Sequence, residues 1–180
     1  MGCFWVIYGR IEGARDASRH LDSPHLGALA EHNQRAVESI PDTDDQYPFL
    51  TRHMFSLARP RLGLHFDRGI IHQIVHFGAS LKVDVADTGF ADAWLRKFEA
   101  HLLAQLAWTS AVVHFEHEEL GDRIARYWIK PCSLRAIRDE LAETGRWSVA
   151  KVRWQSDQGA FAKNDCKAIS GCPTAAKENL

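Results

Sequence analysis

A chain of 180 residues can bury well over half of the surface it exposes when unfolded, so we expect one domain, over residues 1–155. Hydrophobic residues make up 46% of the chain and charged residues 25%, which is the composition of an ordinary globular protein. The formal net charge is −1 and no Lys/Arg cluster stands out, which argues against DNA or RNA as a partner.

The chain opens with an apolar run, Cys3 to Tyr8, whose β-branched and aromatic residues predict a buried strand closed by Gly9. The run lacks a preceding basic segment and is too short to span a membrane or to form the core of a signal peptide. We therefore expect a cytoplasmic protein without a membrane partner, whose thiols are reduced. The four cysteines form no CxxC pair: Cys3, Cys132, Cys166 and Cys172. The alternative to fully reduced thiols is a disulfide between Cys166 and Cys172.

Polar residues 10–22 predict a loop before the first helix. Ser23 is a good N-cap and Pro24 is tolerated at the first helical position, so we expect the helix to begin there. Pro41 ends this helix, and the acidic segment 41–45 is typical of a turn-rich linker. The apolar face of the helix is formed by Leu26, Leu29, Ala30, Val37 and Ile40.

The segment 70–77 fits two local structures. Alternating apolar residues over 62–66 and a turn at 67–69 favour a hairpin that leads into a strand. A helix is the alternative, because Ile70, Ile74 and Gly78 also fit one helical face. His72 and His76 share a face in either structure.

The clearest helix runs from about Phe90 to Leu106, with Asp87 or Thr88 as its cap. Segments 112–118 and 123–130 then predict a β-hairpin joined by four residues. That connection would place Glu118 opposite Arg123 and Glu116 opposite Ala125. The residues expected on the apolar face of the hairpin are Val113, Phe115, Ile124 and Trp128. The apolar stripe of the 90–106 helix is Phe90, Trp94, Leu95, Phe98, Leu102 and Leu106.

A further helix is predicted from Pro131 to a stop at Gly145, with Leu134, Ile137 and Leu141 facing inward. Segment 147–154 predicts a last strand, and the loss of pattern predicts a disordered tail over residues 156–180. We therefore expect an α+β fold: an antiparallel or mixed sheet covered by two to three amphipathic helices.

The histidines are the clearest hint of chemistry, because imidazole binds metals and titrates near neutrality. His72, His76, His114 and Glu116 could hold a divalent transition metal, joined by His65, as in an iron oxygenase or a hydrolytic zinc site. The alternative is that these imidazoles are half-buried and hydrogen-bonded. Gln73 occupies a position where a zinc-protease helix carries glutamate, which weakens the metal prediction.

Glu116, Glu118 and Glu119 form an acidic strip that could recognise a basic protein partner, and Trp154 is a candidate exposed anchor. Ordinary cross-strand ion pairing is the alternative for the strip. Nucleophile elbows and phosphate-binding loops are missing from the sequence. These patterns favour a non-catalytic protein-binding domain without a cofactor, of the small bacterial inhibitor or immunity type. The alternatives are a metal-dependent enzyme with a His/Glu site and, third, a pH sensor.

Overall fold

The computed structural model describes residues 3–13, 23–46, 48–57, 74–83, 88–144 and 146–162. Within them, six strands form one antiparallel sheet, and three α-helices accompany it. The elements in chain order are β1 (Cys3–Gly13), α1 (Ser23–Glu38), β2 (Phe55–Leu57), β3 (Ile74–Val83), α2 (Thr88–Phe98), β4 (Trp108–His117), β5 (Gly121–Ile129), α3 (Pro131–Thr144) and β6 (Trp154–Gln158). The strand order is β2-β3-β1-β4-β5-β6, which confirms the α+β class and makes the sheet antiparallel rather than mixed.

β1 is a central strand and divides the sheet into two chemically different faces. Trp5, Ile7 and Ile11 point to one face and are buried in the core, which we call the inner face. Phe4, Val6 and Tyr8 alternate with them and point to the opposite, outer face. β1 continues to Gly13, so the loop predicted from residue 10 was wrong over residues 10–13. Pairing with β3 and β4 on both sides explains this extension.

The ambiguous segment is a strand where the structure describes it. β3 begins at Ile74 and pairs with β1 and β2, so the strand alternative is confirmed and the helical alternative is wrong over residues 74–77. The long-range pairing decides what the local pattern could not. His65, His72 and the predicted turn at 67–69 lie outside the described residues.

The predicted stripe on the 90–106 helix is confirmed, because all six of its residues are buried. α2 continues into a π-helical turn, Glu99–Leu103, before β4 begins. Ring contacts join α2 to the inner face: the ring centroids of Phe90 and Trp5 lie 4.8 Å apart, and those of Trp94 and Phe115 lie 5.7 Å apart. Val37 of α1 and Ile137 and Leu141 of α3 are buried in the same core cluster, which Ile40 joins just after the end of α1.

The hairpin of β4 and β5 has a different register from the predicted one. Glu116 lies opposite Asp122 and Phe115 lies opposite Arg123, which is a shift of three residues from the predicted pairing. Because strand side chains alternate between faces, an odd shift exchanges the two faces of β5. Arg123, Ala125 and Tyr127 are therefore buried on the inner face, and the prediction that Ile124 and Trp128 lie with Val113 on the apolar face was wrong.

The polar side chains that the register turns inward are paired. The Arg123 guanidinium lies 2.7 Å from the Asp92 carboxylate of α2. Tyr127 donates its hydroxyl hydrogen to Glu99 at 3.0 Å, and burial together with the Glu99 charge raises the pKa of Tyr127. Trp128, on the outer face, donates its indole N–H to Gln155 of β6. These pairs explain how a strand with an inward arginine is tolerated.

The end of the described chain also differs from the prediction. Segment 147–154 is not a strand: Val149–Lys151 forms a 3-10 turn, and β6 begins only at Trp154. Ser133, at the start of α3, explains the difference, because its hydroxyl donates to the Lys151 carbonyl and accepts from the Arg153 N–H. After β6, Ala162 pairs with Asp122, so the chain follows β5 beyond residue 155. Residues 163–180 of the predicted tail lie outside the described residues.

Two further features bear on the environment of the protein. No helix in the described ranges is long and apolar enough to cross a lipid bilayer. Cys132 is an exposed free thiol at the start of α3, whereas Cys166 and Cys172 lie beyond the last described residue.

A largely buried ion pair ties the acidic linker to α2. The Lys97 ammonium lies 2.7 Å from the Asp44 carboxylate and also donates to the Gln46 carbonyl. The backbone N–H groups of Gln46 and Leu50 each donate to Asp44 at 2.9 Å. Burial raises the pKa of Asp44, but the Lys97 ammonium and these two N–H groups outweigh it, so the pKa is lower than its ordinary value.

We expect Lys97→Met to lower the free energy of unfolding by about 1.5–3 kcal/mol at neutral pH, because Asp44 loses its charged donor. A lowered carboxyl pKa stabilises the fold above the ordinary value of about 3.9, and this stability is lost as the pH falls through the lowered pKa. The difference between wild type and variant should therefore shrink below about pH 4. Urea unfolding at several pH values measures it. Arg35→Met, which removes an exposed pair with Glu31, is the matched control and should change stability by less than about 0.5 kcal/mol.

Candidate functional site

The outer face of the sheet carries large apolar side chains that contact solvent. Phe4, Val6 and Tyr8 of β1 are 46%, 36% and 39% exposed, and Trp128 of β5 is 39% exposed. The three β1 residues are consecutive on this face because they alternate with buried residues. Clustered exposed apolar groups bordered by polar residues are typical of interaction surfaces.

Acidic residues lie beside these apolar residues, at the β4–β5 end of the sheet. Glu116 is exposed and is directly opposite Val6 of β1 on one side and Asp122 of β5 on the other. Glu118 and Glu119 follow in the exposed turn between the two strands. The predicted acidic strip is therefore on the outer face or its edge. We call Phe4, Val6, Tyr8, Glu116, Glu118 and Glu119 the acidic–aromatic surface.

Tyr8 contacts both His114 and Glu116 within this region. The Tyr8 and His114 rings stack at 4.8 Å with an interplanar angle of 7°. The Tyr8 hydroxyl donates to Oε1 of Glu116 at 2.7 Å, and this hydrogen bond, with partial burial and the negative charges of Glu116 and Asp122, raises the pKa of Tyr8. Tyr8 therefore stays protonated at neutral pH, where it holds Glu116 in position and does not act as a base.

Among the predicted metal ligands in the described residues, His76 lies apart from His114 and Glu116. His76 lies in β3 opposite Arg10, and His114 lies in β4 opposite Tyr8, so strand β1 separates them. Two strand spacings place their Cα atoms roughly 10 Å apart or more. In the described ranges no three His, Cys, Asp or Glu residues are grouped as metal ligands. Since His72 lies outside those ranges, the metal site of His72, His76, His114 and Glu116 stays a prediction.

Trp154 is on a different side of the sheet from the glutamates. It pairs with Ile129, is partly buried against the core and lies 6.1 Å from Trp108. The neighbouring Arg153 guanidinium donates to the carbonyls of Ala150 and Val152. The two predicted binding elements therefore do not form one surface.

A depression of about 460 Å³ is lined by residues of α1 and of the segments around residues 104 and 149. His32 Nε2 lies 2.8 Å from the Gln105 carbonyl oxygen at its wall, so this imidazole already has a partner. Arg35 is the charged residue among the remaining lining residues, so we assign no chemistry to this depression. The remaining lining residues are Arg35, Ala36, Ser39, Ala104 and Val149.

The inner face holds three polar groups that sequence reasoning did not identify. Trp5, His117 and Arg123 are 0%, 5% and 8% exposed, and they belong to the neighbouring strands β1, β4 and β5. The backbone N–H groups of Glu119 and Leu120 both donate to His117 Nδ1 at 3.1 Å, which assigns the ring hydrogen to Nε2. Sequence could not reveal this group, because the predicted register placed Arg123 on the polar face.

Comparison of the chain with protein-family models, with curated proteins and with solved structures gave no match. Function is therefore inferred from the two arrangements above, the acidic–aromatic surface outside the sheet and the buried donors inside it. The first is exposed and offers charge with apolar area, which suits a macromolecule. The second is buried among aromatic rings.

Proposed function

We propose that this chain is a non-catalytic protein-binding domain, of the inhibitor or immunity type, that binds one protein partner through its acidic–aromatic surface. The single observation that supports this most strongly is the row of exposed Phe4, Val6 and Tyr8 beside Glu116. We infer that the helices cover the inner face of the sheet, as the ring contacts of α2 suggest, and that the outer face serves the partner. Aromatic residues are enriched at such interfaces.

The charge of this surface favours a basic partner. Glu116, Glu118 and Glu119 contribute three carboxylates close together, and Asp122 lies directly opposite Glu116. A Lys or Arg side chain of the partner would be attracted to these exposed carboxylates. The hydrogen bond from Tyr8 uses Oε1 of Glu116, so Oε2 can accept from a partner cation. The partner segment is therefore expected to alternate basic and apolar residues.

We expect the wild-type chain, used as bait in an extract of its native host, to capture one partner at 1:1 stoichiometry, and the purified complex to weaken as salt is raised. Glu116→Gln keeps an oxygen that can accept from Tyr8 but removes the charge, and it should weaken the complex about tenfold. Val6→Ser should weaken it as well, through the loss of apolar contact. Titration calorimetry at two salt concentrations measures both effects.

Glu143→Gln provides the matched control, because Glu143 is an exposed carboxylate on α3, away from this surface. It should leave the affinity unchanged. An affinity that is equal for Glu116→Gln, Val6→Ser and wild type would disprove the proposed surface. Failure to capture any partner, with a chain that stays a monodisperse monomer, would overturn the binding function itself.

A further inference from the structure

Three buried N–H donors carried by strands of the inner face have no hydrogen-bond acceptor in the described part of the chain. They are Trp5 Nε1, His117 Nε2 and Arg123 Nε, and each residue is at least nine-tenths buried. Native proteins pair almost all buried donors, because an unpaired one loses its hydrogen bonds to water without replacement. We call Trp5, His117 and Arg123 the donor cluster.

The donor cluster is contiguous across three strands. Trp5 is directly opposite His117, and their rings lie 4.5 Å apart. Arg123 is directly opposite Phe115. Because Phe115 is two residues from His117 on the same strand, Arg123 is the diagonal neighbour of His117. Phe161 touches both ends of the cluster: its ring lies 5.6 Å from that of Trp5 and 5.5 Å from the Arg123 guanidinium carbon.

The chemistry of the cluster specifies what it would bind. All three atoms are donors, so the complementary group is an acceptor. The Arg123 charge is already balanced by Asp92 at 2.7 Å, and His117 Nδ1 accepts two N–H groups, which leaves Nε2 as the donor of this ring. An anion would add an uncompensated charge to a buried site, whereas a carbonyl oxygen would not. The acceptor that fits best is therefore uncharged.

The donor cluster is surrounded by aromatic rings. Phe90 lies 4.8 Å from Trp5, and Phe115 meets Trp5 edge-on at 6.3 Å. The partly buried Phe161 ring lies over the Arg123 guanidinium, where a planar ligand would stack. Phe161 belongs to the segment after β6, which is joined to β5 through the Asp122–Ala162 bridge. Phe161 is a single side chain that contacts both Trp5 and Arg123.

We propose that the donor cluster binds a small, uncharged, planar ligand that carries a carbonyl oxygen, such as an aromatic carboxamide or lactam, in the place of the Phe161 ring. The carbonyl accepts hydrogen bonds from Trp5 and His117, and the ligand ring stacks on the Arg123 guanidinium. This site is on the inner face and does not depend on the partner surface of the outer face.

The test uses benzamide as the probe, titrated into the full chain while the Trp5 indole and His117 imidazole resonances are followed by NMR. We expect both resonances to shift and to saturate at millimolar concentrations. Benzoate has the same ring with a charged acceptor and should bind at least tenfold more weakly. Toluene, which has no acceptor, should not produce the shift of the two N–H groups. Equal or tighter binding of benzoate would overturn the uncharged ligand class.

Variants separate binding from folding. His117→Asn places an amide oxygen near the position of Nδ1, so the turn keeps its acceptor while the Nε2 donor is lost. Arg123→Lys keeps the charge beside Asp92 but removes the planar guanidinium on which the ligand ring stacks. Each should weaken benzamide about tenfold. Phe161→Ala should bind it severalfold more tightly, because no ring has to be displaced.

Trp147→Phe is the control, since Trp147 Nε1 is also buried without an acceptor in the described residues but belongs to the segment after α3. It should leave benzamide binding unchanged. The proposal is overturned if neither the wild type nor Phe161→Ala shows saturable shifts. It is also overturned if His117→Asn and Arg123→Lys, both folded by circular dichroism, bind benzamide as tightly as the wild type.

Discussion

Replacing Trp94 by alanine is expected to lower the free energy of unfolding by about 3–5 kcal/mol, the range for truncating a buried aromatic residue. Trp94 has no exposed surface and lies at the junction of α2 with the sheet. Its ring lies 6.0 Å from Phe77, 5.3 Å from Phe98 and 5.7 Å from Phe115, so the variant would leave a cavity between elements that close it from several sides. Urea unfolding followed by circular dichroism measures the change.

Trp128→Ala is the matched control for this substitution. Trp128 is also a tryptophan, but the register of β5 places it on the exposed outer face. We expect it to destabilise the protein by about 1 kcal/mol or less, mainly through the lost contact with Gln155. A larger effect at Trp128 than at Trp94 would contradict the observed register and favour the one predicted from the sequence pattern.

The second large effect is expected at Gly9, in the middle of the central strand β1. A methyl group at this position would lie 2.1 Å from the Val112 carbonyl oxygen of β4 and 2.5 Å from Phe77 Cζ of β3. The backbone oxygen cannot move without separating β1 from β4, so Gly9→Ala should destabilise the fold by about 3 kcal/mol or more. Thermal or urea unfolding of the purified variant measures it.

Gly78→Ala is the comparison that isolates this steric effect. Gly78 lies in β3, directly opposite Tyr8, but a methyl group there would meet its nearest neighbours at 3.7 and 3.8 Å, ordinary van der Waals distances. Alanine also loses less backbone entropy on folding than glycine does. We therefore expect a change within about 1 kcal/mol, of either sign. Equal stability of the two variants would show that β1 and β4 can separate without loss.

Local periodicity was sufficient where an element has many residues in one pattern. The stripe along α2 and the turns that follow it was predicted residue by residue, because six apolar side chains at helical spacing leave one face to bury. The start of α1 at Ser23 and of α3 at Pro131 followed from capping chemistry. The polar character of the β4 face that carries His114 and Glu116 was also predicted, because β4 alternates clearly.

Periodicity failed where a short strand carries large apolar residues on both faces. In β5, Ile124 and Trp128 are more apolar than Arg123 and Ala125, so the pattern favoured the wrong face. Arg123 can be buried only because Asp92 of another element pairs with it. Similarly, segment 147–153 has strand-like composition, but it contains a 3-10 turn that Ser133 of α3 contacts at Lys151 and Arg153. Neither partner is close in sequence.

Parts of the candidate site could also be predicted from local sequence, and other parts could not. The acidic strip could be predicted, because exposed charges at alternating positions of β4 are visible in the sequence. The exposed partners of the strip in β1 could not, because the run Cys3 to Tyr8 suggested a strand buried on both sides. The donor cluster had no sequence signal, since the lack of an acceptor depends on what three neighbouring strands and Phe161 place around each N–H group.

The sequence by itself determined the α+β class, the buried stripe of the long helix and the acidic character of the β4–β5 end, because each depends on the spacing of residues near one another in the chain. Only the tertiary structure decided the register of β5, the separation of His76 from His114 by β1 and the burial of three donors together. These features depend on pairing between residues far apart in sequence, where a register change of one residue exchanges the two faces of a strand.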